Sequence, residues 1–309
     1  MEIDVIIPVY KPGEELFELL RMLKIQSVKP SHIIIMNTEK EYWDAFMQGE
    51  NLKQEFPNLS VEHLPAKDFD HGGTRRKAVN RSKAQVFVMM TQDAIPADDK
   101  LLEELVGQLN ADVAVAYARQ LATEKSGILE KITREFNYPE EPLVKSVADK
   151  GRLGIKTYFC SDVCAAYRRK IYDKLGGFVD RAIFNEDMIY AAGAIEQGYK
   201  VAYAAGAKVY HSHNYTIMQQ FHRNFDLGVS QAMHPEVFSG LSSESEGLKL
   251  VKEAVRYLKE HHMLWKLPYF FMQCAGKYMG YLLGKHYKNI PGGMILRITS
   301  NKAFWSRES

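Results

Sequence analysis

Cysteine is scarce in this chain of 309 residues: there are three, Cys160, Cys164 and Cys274. Three thiols make no disulfide framework, and Cys160 and Cys164 lack the flanking His/Cys pattern of a zinc site, so all three read as reduced packing residues. Charge of one sign is lacking as well. The formal net charge is +2, which gives no general reason to expect nucleic acid as a partner. The opening Met1-Glu2-Ile3-Asp4 enters a strand pattern directly, with no basic-then-apolar signal, so the expected location is the cytoplasm. A long uncharged run is missing too. Residues 264–286 are rich in Leu, Phe, Tyr and Met, but Lys266, Gln273 and Lys277 interrupt them. A transmembrane helix needs ~20 nearly uncharged residues, which argues against one there. Absent, finally, are the Gly-Lys-Ser/Thr of a phosphate-binding loop and the Gly-x-Gly-x-x-Gly of a dinucleotide site. Those absences speak against a P-loop enzyme and against a dehydrogenase.

What is present is an ordinary globular composition, 46% hydrophobic and 25% charged, which excludes intrinsic disorder. The length fits one large α/β domain, or one domain with a smaller appendage. Short apolar runs at residues 5–8, 33–36, 61–64, 86–90 and 113–118 read as strands. Helical patterns separate them at 13–26, 39–56, 72–82 and 99–109. Such alternation with short links implies a mostly parallel sheet covered by helices on both faces. From 123 to 159 the rhythm breaks into a charged stretch carrying Pro139, Pro142, Gly151 and Gly154, an excursion suited to border a cleft. A second block follows, with a strand at 160–167, a helix at 185–197 and short strands at 201–203 and 208–213. After Gln231 the pattern turns helical, which sets a boundary near Pro235 between 1–235 and a C-terminal helical region 236–309.

Four strings carry chemistry. The run Val86-Phe87-Val88-Met89-Met90 leads into Thr91-Gln92-Asp93. Ligands of open α/β sheets bind beyond the carboxyl ends of the strands, where Asp93 could hold a metal; with Pro96 nearby, it also fits a plain turn. Asn185-Glu186-Asp187 opens a helix, either as a cap with acids matching the dipole or with Asp187 as a general base kept ionised by the helix N-terminus. In Val209-Tyr210-His211-Ser212-His213, strand alternation turns both imidazoles to one face, as packing residues or as metal or phosphate ligands. The string Phe69-Asp70-His71-Gly72-Gly73-Thr74-Arg75-Arg76 fits a Gly-rich turn before a basic helix. Equally, its glycines would let backbone approach a ligand and its arginines clamp phosphate.

The order of these pieces resembles family 2 glycosyltransferases of the GT-A fold, and among them the bacterial rhamnosyltransferase-like group. The carrying residues are Val5-Ile6-Ile7-Pro8-Val9-Tyr10, the string from Phe69 to Arg76, Thr91-Gln92-Asp93-Ala94 and Ser161-Asp162, then Gly176-Gly177-Phe178, Asn185-Glu186-Asp187 and His211-Ser212-His213 with Tyr215. The likeness covers roughly residues 3–228. It implies that Pro8, Val9 and Tyr10 line the nucleotide-base pocket and that Arg75 lies near the nucleotide sugar. Asp93 would be the surviving acid of an Asp-x-Asp-type site, bridging Mg2+ or Mn2+ to the diphosphate, with His211 or His213 completing the shell. Asp187 would be the catalytic base. Three departures stand out: Asn37-Thr38-Glu39 replaces an Asp-rich turn, Gln92 and Ala94 flank a single acid, and Arg76 stands where asparagine is common. The expected donor-binding set is therefore Pro8, Val9, Tyr10, Asn37, Glu39, Arg75, Arg76 and Gln92.

The implied activity is inverting transfer of a sugar from a nucleotide sugar, with dTDP-L-rhamnose as the best-matched donor, to a glycan or lipid-linked glycan. A sugar nucleotidyltransferase is the competing enzyme class, but Tyr10-Lys11-Pro12-Gly13-Glu14 lacks the Gly-rich signature with Arg and Lys behind the first strand. A degenerate sugar-binding scaffold is the non-enzymatic alternative, against which Asp93, Asp187 and both histidines are present. On a helix, Lys266, Gln273, Lys277, Gly284 and Lys288 share one face, with Phe271, Ala275 and Leu282 opposite. Beyond it, Lys285, Lys288, Arg297, Lys302 and Arg307 face one acid, Glu308. This basic, amphipathic region suits either peripheral contact with an anionic inner membrane surface or a helix packed on the catalytic domain.

Overall fold

The computed structural model describes residues 1–47, 52–240 and 243–306. Strands β1 (Ile3–Tyr10), β2 (His32–Thr38), β3 (Leu59–Leu64) and β4 (Val86–Met90) run parallel in the order β3-β2-β1-β4. In β1, β2 and β4, apolar runs without alternation make strands buried on both faces, whereas β3, at the edge, is only partly buried. Val5, Ile7, Val88 and Met90 pack toward helix α1 (Glu14–Ile25), whose Leu16, Leu19, Leu20 and Leu23 form a fully buried stripe. Ile6, Met36, Phe87 and Met89 pack on the other side, against Ala78 and Val79 of helix α2 (His71–Val79).

The sheet has nine strands and is mixed. Strand β8 (Cys164–Arg168) enters antiparallel between β4 and β6 (Val113–Leu121). Strand β9 (Lys200–Tyr210) runs parallel to β6, and the short β5 (Ile95–Pro96) and β7 (Leu143–Lys145) pair antiparallel with β9. The two short strands expected at 201–203 and 208–213 are thus one strand that ends at Tyr210, so His211 and His213 lie just beyond it and not within a strand. Its pairing with β6 jumps from Ala118–Ala204 to Arg119–Lys208, and the extra residues, Gly206 among them, form an irregularity that resembles two strands in sequence. The excursion after 123 folds into helix α3 (Ile128–Asn137), β7 and short helical turns. The helical pattern expected at 39–56 is interrupted: Lys40–Phe46 and Leu52–Glu55 are helical, and residues 48–51 lie outside the described ones.

Helix α4 (Glu186–Glu196) precedes β9, and α5 (Ile217–Met233) follows it. Helices α6 (Ser243–Glu260) and α7 (Leu267–Lys285) come next, and α7 packs on α5 through glycines. A Cβ at Gly280 would stand 2.2 Å from the Phe221 carbonyl oxygen, one at Gly284 2.1 Å from that of Phe225, and one at Gly228 2.3 Å from that of Tyr281. Only glycine permits this approach.

That packing fixes the orientation of α7. The basic face is turned inward: Lys266, Gln273 and Lys277 line a cavity against the catalytic body. Its apolar face is bare, with Phe271 48%, Met272 52%, Tyr278 51% and Met279 54% exposed, and Trp265 just before it 74% exposed. The chain then returns through α8 (Gly292–Ile298) and α9 (Lys302–Trp305). Thr299 donates to Asp226 at 2.6 Å, the Ser300 amide donates to the same carboxylate at 2.9 Å, and Phe304 is buried with Ile183, Phe225 and Val229. Arg307 and Glu308 of the expected basic tail lie outside the described residues. Among the described residues no helix is long and apolar enough to cross a membrane.

Candidate active site

The carboxyl ends of β1, β4, β6 and β9 open into a cleft of about 780 Å³ whose walls include Tyr10, Arg75, Asp93, Gln120, Asp187, His211 and His213. This is the position where α/β sheets bind ligands. Each strand delivers its group by ending there. Tyr10 closes β1 and its amide donates to the Gln92 side chain at 2.9 Å, which ties the end of β1 to the turn carrying Asp93.

Asp93, His211 and His213 converge although more than a hundred residues separate the acid from the imidazoles. Their ligand atoms all lie within 4.8 Å of one another. His213 Nε2 is 3.2 Å from Asp93 Oδ2, His211 Nε2 is 3.6 Å from Oδ1, and the two Nε2 atoms are 3.0 Å apart. Ligands at adjacent corners of an octahedron with bonds of about 2.1 Å stand about 3.0 Å apart. The tautomer fits as well. Arg134, which can only donate, binds Gln120 Oε1, and Gln120 Nε2 donates to the Tyr138 hydroxyl at 2.6 Å and to Ser161 Oγ at 2.9 Å. Gln120 Oε1 therefore accepts from His211 Nδ1 at 2.9 Å, leaving the Nε2 lone pair toward Asp93. Burial pushes the pKa of His211 down to about 3 against the pull of Asp93, and burial lowers that of His213. Neutral imidazoles beside a carboxylate are the donor set of a divalent metal.

The second group of charges is Asp162, Glu186 and Asp187 around Arg75. Arg75 Nε lies 3.1 Å from both Asp162 Oδ2 and Glu186 Oε1, at ion-pair distance though not aligned for a hydrogen bond to either. One guanidinium cannot neutralise three neighbouring carboxyl groups, of which Asp162 and Glu186 are buried and Asp187 is half-buried. Glu186 stays below its ordinary pKa, because Arg75 and His71 together outweigh its burial. Asp162 is pushed up to about 7 by burial in spite of Arg75, and its Oδ1 accepts from the Tyr167 hydroxyl at 2.5 Å. Asp187 is raised well above the carboxylate range by burial first, then by the charges of Glu186 and Asp162. Two amides, Asp162 N at 3.0 Å and Met188 N at 2.7 Å, hold its oxygens and oppose that rise only in part. The expectation that the helix N-terminus keeps Asp187 acidic is corrected here: burial among like charges outweighs two amide dipoles. Asn185 does not cap α4 with its side chain; it stands at φ 64° and donates to Ser230 at 3.3 Å.

The other expected residues divide. Tyr10, Arg75, Asp93, Asp187, His211 and His213 meet in the cleft, whereas Pro8, Val9, Asn37, Glu39, Arg76 and Gln92 are not on its walls. Val9 is in the core, packed toward α1 and at odds with a base pocket, because strand alternation turns it away from Tyr10. Asn37 is fully buried, donating to the Glu39 carbonyl at 2.9 Å and lying 3.0 Å from His63 Nδ1, while the Glu39 carboxylate accepts from the Ala66 amide. Arg76 pairs with Asp180 at 3.1 Å. Gly72 serves packing: a Cβ there would stand 2.0 Å from the Val179 carbonyl oxygen. Residues without an expected role also line the cleft, among them Gln120, Arg134, Asp162, Arg223 and Lys302. Asp162 and Glu186 adjoin or belong to strings already singled out, but nothing local marks Gln120 or Lys302.

Comparison with known proteins supplies the family and the fold. The family model described as glycosyl transferase family 2 matches residues 4–176. The O-antigen chain rhamnosyltransferase RfbN of Salmonella typhimurium is 37% identical over 99% of this chain and 96% of its own length. The O-antigen chain rhamnosyltransferase WbaN of Salmonella anatum is 36% identical over 97% and 95%. Among solved structures, the mannosyltransferase PcManGT from Pyrobaculum calidifontis, in complex with GDP-Man and Mn2+, is similar in fold with a TM-score of 0.57 at 14% identity, covering 93% of this chain and 86% of that one. S. aureus TarS 1–349 in complex with UDP-GlcNAc gives 0.53 at 15%, covering 97% and 84%. Its fold is therefore that of the GT-A glycosyltransferases. With a family match over more than half the sequence and relatives over a third identical along nearly all of it, the chain belongs to glycosyl transferase family 2.

Proposed function

We propose that the protein is an inverting, metal-dependent glycosyltransferase of cell-surface polysaccharide synthesis, moving L-rhamnose from dTDP-L-rhamnose to a hydroxyl of a glycan or lipid-linked glycan. The observation that carries the reading is one cleft holding both a carboxylate of raised pKa, Asp187, and the convergent Asp93, His211 and His213. The names of the two Salmonella relatives support the sugar and the polymer. In this reaction the acceptor oxygen attacks the anomeric carbon as the carbon–oxygen bond to the diphosphate breaks on the opposite face. Asp187 takes the hydroxyl proton, and the nucleoside diphosphate leaves with the bonding electron pair. Because Arg75 is engaged by Glu186 and Asp162, it does not quench the basicity of Asp187. Mg2+ or Mn2+, held by Asp93, His211 and His213, would neutralise charge gathering on the leaving diphosphate.

The same reading puts the protein in the cytoplasm, with peripheral contact at the inner face of the membrane, for which the exposed apolar face of α7 is the support. A thermal-shift panel of nucleotide sugars with Mn2+ tests the donor: stabilisation is expected with the dTDP sugar, and no shift with any member counts for the scaffold alternative. Asp187→Asn is expected to keep donor binding and to lose sugar transfer by at least ~100-fold, the usual scale of general-base removal. Near-normal transfer by that variant would falsify the base assignment.

A further inference from the structure

Among the described residues, four Arg and Lys side chains line the cleft, and carboxylates hold two of them: Arg75 by Glu186 and Asp162, Arg134 by Glu130 at 2.7 Å. A third, Arg223, lies over the Tyr215 ring at 4.7 Å. The fourth, Lys302, comes from near the end of the chain, well beyond the residues 4–176 that match the family. Among the described residues, Lys302 has no hydrogen bond and no carboxylate at ion-pair distance.

The segment that delivers Lys302 is tied down at each step. His222 Nδ1 donates to the Ile298 carbonyl at 2.6 Å. Asp226, only 2% exposed, accepts from the Thr299 hydroxyl and the Ser300 amide, and Thr299 Oγ1 accepts in turn from the Asn301 amide at 3.0 Å. The chain then enters α9, which packs on the turn Ala66–Asp68 beyond β3. Residues 299–303 thus form a strap from α5 to the β3 end of the cleft.

The strap carries a donor group with nothing to bind. Asn301 Oδ1 accepts from the Phe304 amide at 3.3 Å, and since a backbone N–H can only donate, the side-chain NH2 is turned the other way. Its Nδ2 is buried and has no hydrogen-bond partner among the described residues, although Asn301 lines the cleft. The Thr38 hydroxyl, at the end of β2 on the same cleft, is also buried and unpartnered. Capping α9 requires only the Asn301 oxygen, so it accounts for neither the NH2 group nor Lys302. A buried polar group left unpaired costs about 1–3 kcal/mol. Two of them in one cleft, with an ammonium group beside them on the strap, fit a ligand that has both acceptor oxygens and negative charge. A nucleoside diphosphate has both.

We propose that the strap is part of the donor site: Asn301 Nδ2 donates to an oxygen of the nucleoside diphosphate, and the Lys302 ammonium group pairs with its phosphates. The proposal rests on the glycosyltransferase reading above and adds two donor-binding residues from the C-terminal region.

The test is calorimetric titration of the full chain with dTDP, UDP and GDP in the presence of Mn2+, each variant being titrated with the nucleotide that the wild type binds best. Lys302→Met is expected to weaken binding about tenfold or more, the scale of a hydrogen bond to a charged group, and Lys302→Arg to keep most of the affinity. Asn301→Ser is expected to weaken it about three- to tenfold, the scale of one neutral hydrogen bond. Serine caps a helix about as well as asparagine, so this variant should melt with the wild type. Lys288→Met, an equal change of charge at an exposed site off the cleft, should bind as the wild type does. Wild-type affinity in both Lys302→Met and Asn301→Ser overturns the strap, as does an equal loss in Lys288→Met. A loss in only one of the two strap variants strikes the other residue from the site. A lowered melting point in Asn301→Ser makes Asn301 a cap alone and leaves the decision to Lys302→Met. If the wild type binds a nucleotide and both strap variants bind it equally well, the strap falls while the glycosyltransferase reading stands; if the wild type binds none of the three, both fall.

Discussion

Asp187 illustrates how a residue's chemistry depends on neighbours that its own segment does not name. The string Asn185-Glu186-Asp187 identifies two acids at a helix start, and helix geometry alone makes both more acidic. Asp162, 25 residues earlier, and the burial of the whole group reverse that for Asp187. A base acts only when deprotonated, so activity is lost as pH falls through its pKa. With Asp187 raised well above 3.8 and Asp162 pushed to about 7, the acid limb of the kcat profile should lie toward neutrality. Glu186→Gln removes a neighbouring charge and frees Arg75 for the remaining pair, so it should move that limb to lower pH. An unmoved limb counts against the charge-crowding account. For stability the sign is fixed by the same shift: a raised carboxylate pKa contributes stability below pH 3.8 that is lost as pH rises through the folded value. Gln120 makes a comparable case at the histidines, holding the His211 tautomer with an amide oriented by Arg134. Gln120→Ala should weaken Mn2+ binding roughly 10- to 100-fold, as loss of such supporting contacts does, measured by free-Mn2+ resonance. Unaltered affinity would remove Gln120 from the site.

Among the elements, the parallel strands β1, β2 and β4 are legible because each carries an apolar string, and the flanking α1 because leucine recurs with helical spacing. Antiparallel β8 is legible as a strand but not in its direction, since pairing sense is set by where the excursion after residue 123 returns the chain. The irregularity in β9 hides one strand behind the pattern of two. For helix α7 the pattern left open which face meets the domain, and its glycines explain the outcome. Gly276, Gly280 and Gly284 recur every four residues along one side, and that side meets α5 at backbone contact. Gly280→Ala places a methyl carbon 2.2 Å from the Phe221 carbonyl oxygen, so the two helices must part. The expected cost is about 1–3 kcal/mol, the range for overpacking a tight interface, visible as a lowered thermal midpoint. Because α5 carries Arg223 and Asp226 into the cleft wall, the same variant should also weaken donor binding; stability and binding both at wild-type level would refute the close-packed seam.

For the whole molecule, the C-terminal region and the catalytic body share a surface. Asp226 anchors the returning chain at Thr299 and Ser300, which brings Asn301 and Lys302 to the cleft wall. The same region exposes an apolar face, and it also carries the exposed Lys288 and Arg297. Flotation with liposomes should therefore carry the protein with anionic vesicles more than with neutral ones, and Trp265→Ser with Met272→Ser and Met279→Ser should abolish it. Equal flotation by the triple variant, or a dimer in solution that this variant dissolves, would assign the face to something other than lipid. The sequence by itself determined the strands and most helices, the family's ordered strings, and the charged groups available to the cleft, because apolar periodicity and turn chemistry act over a few residues. Only the tertiary structure decided which carboxylate Arg75 leaves basic, which amide holds His211, and which face of α7 is bare. Those outcomes depend on burial and on contacts between segments far apart in the chain. Helical periodicity distinguishes two faces of α7, but close approach of its glycines to α5 selected the one that is covered.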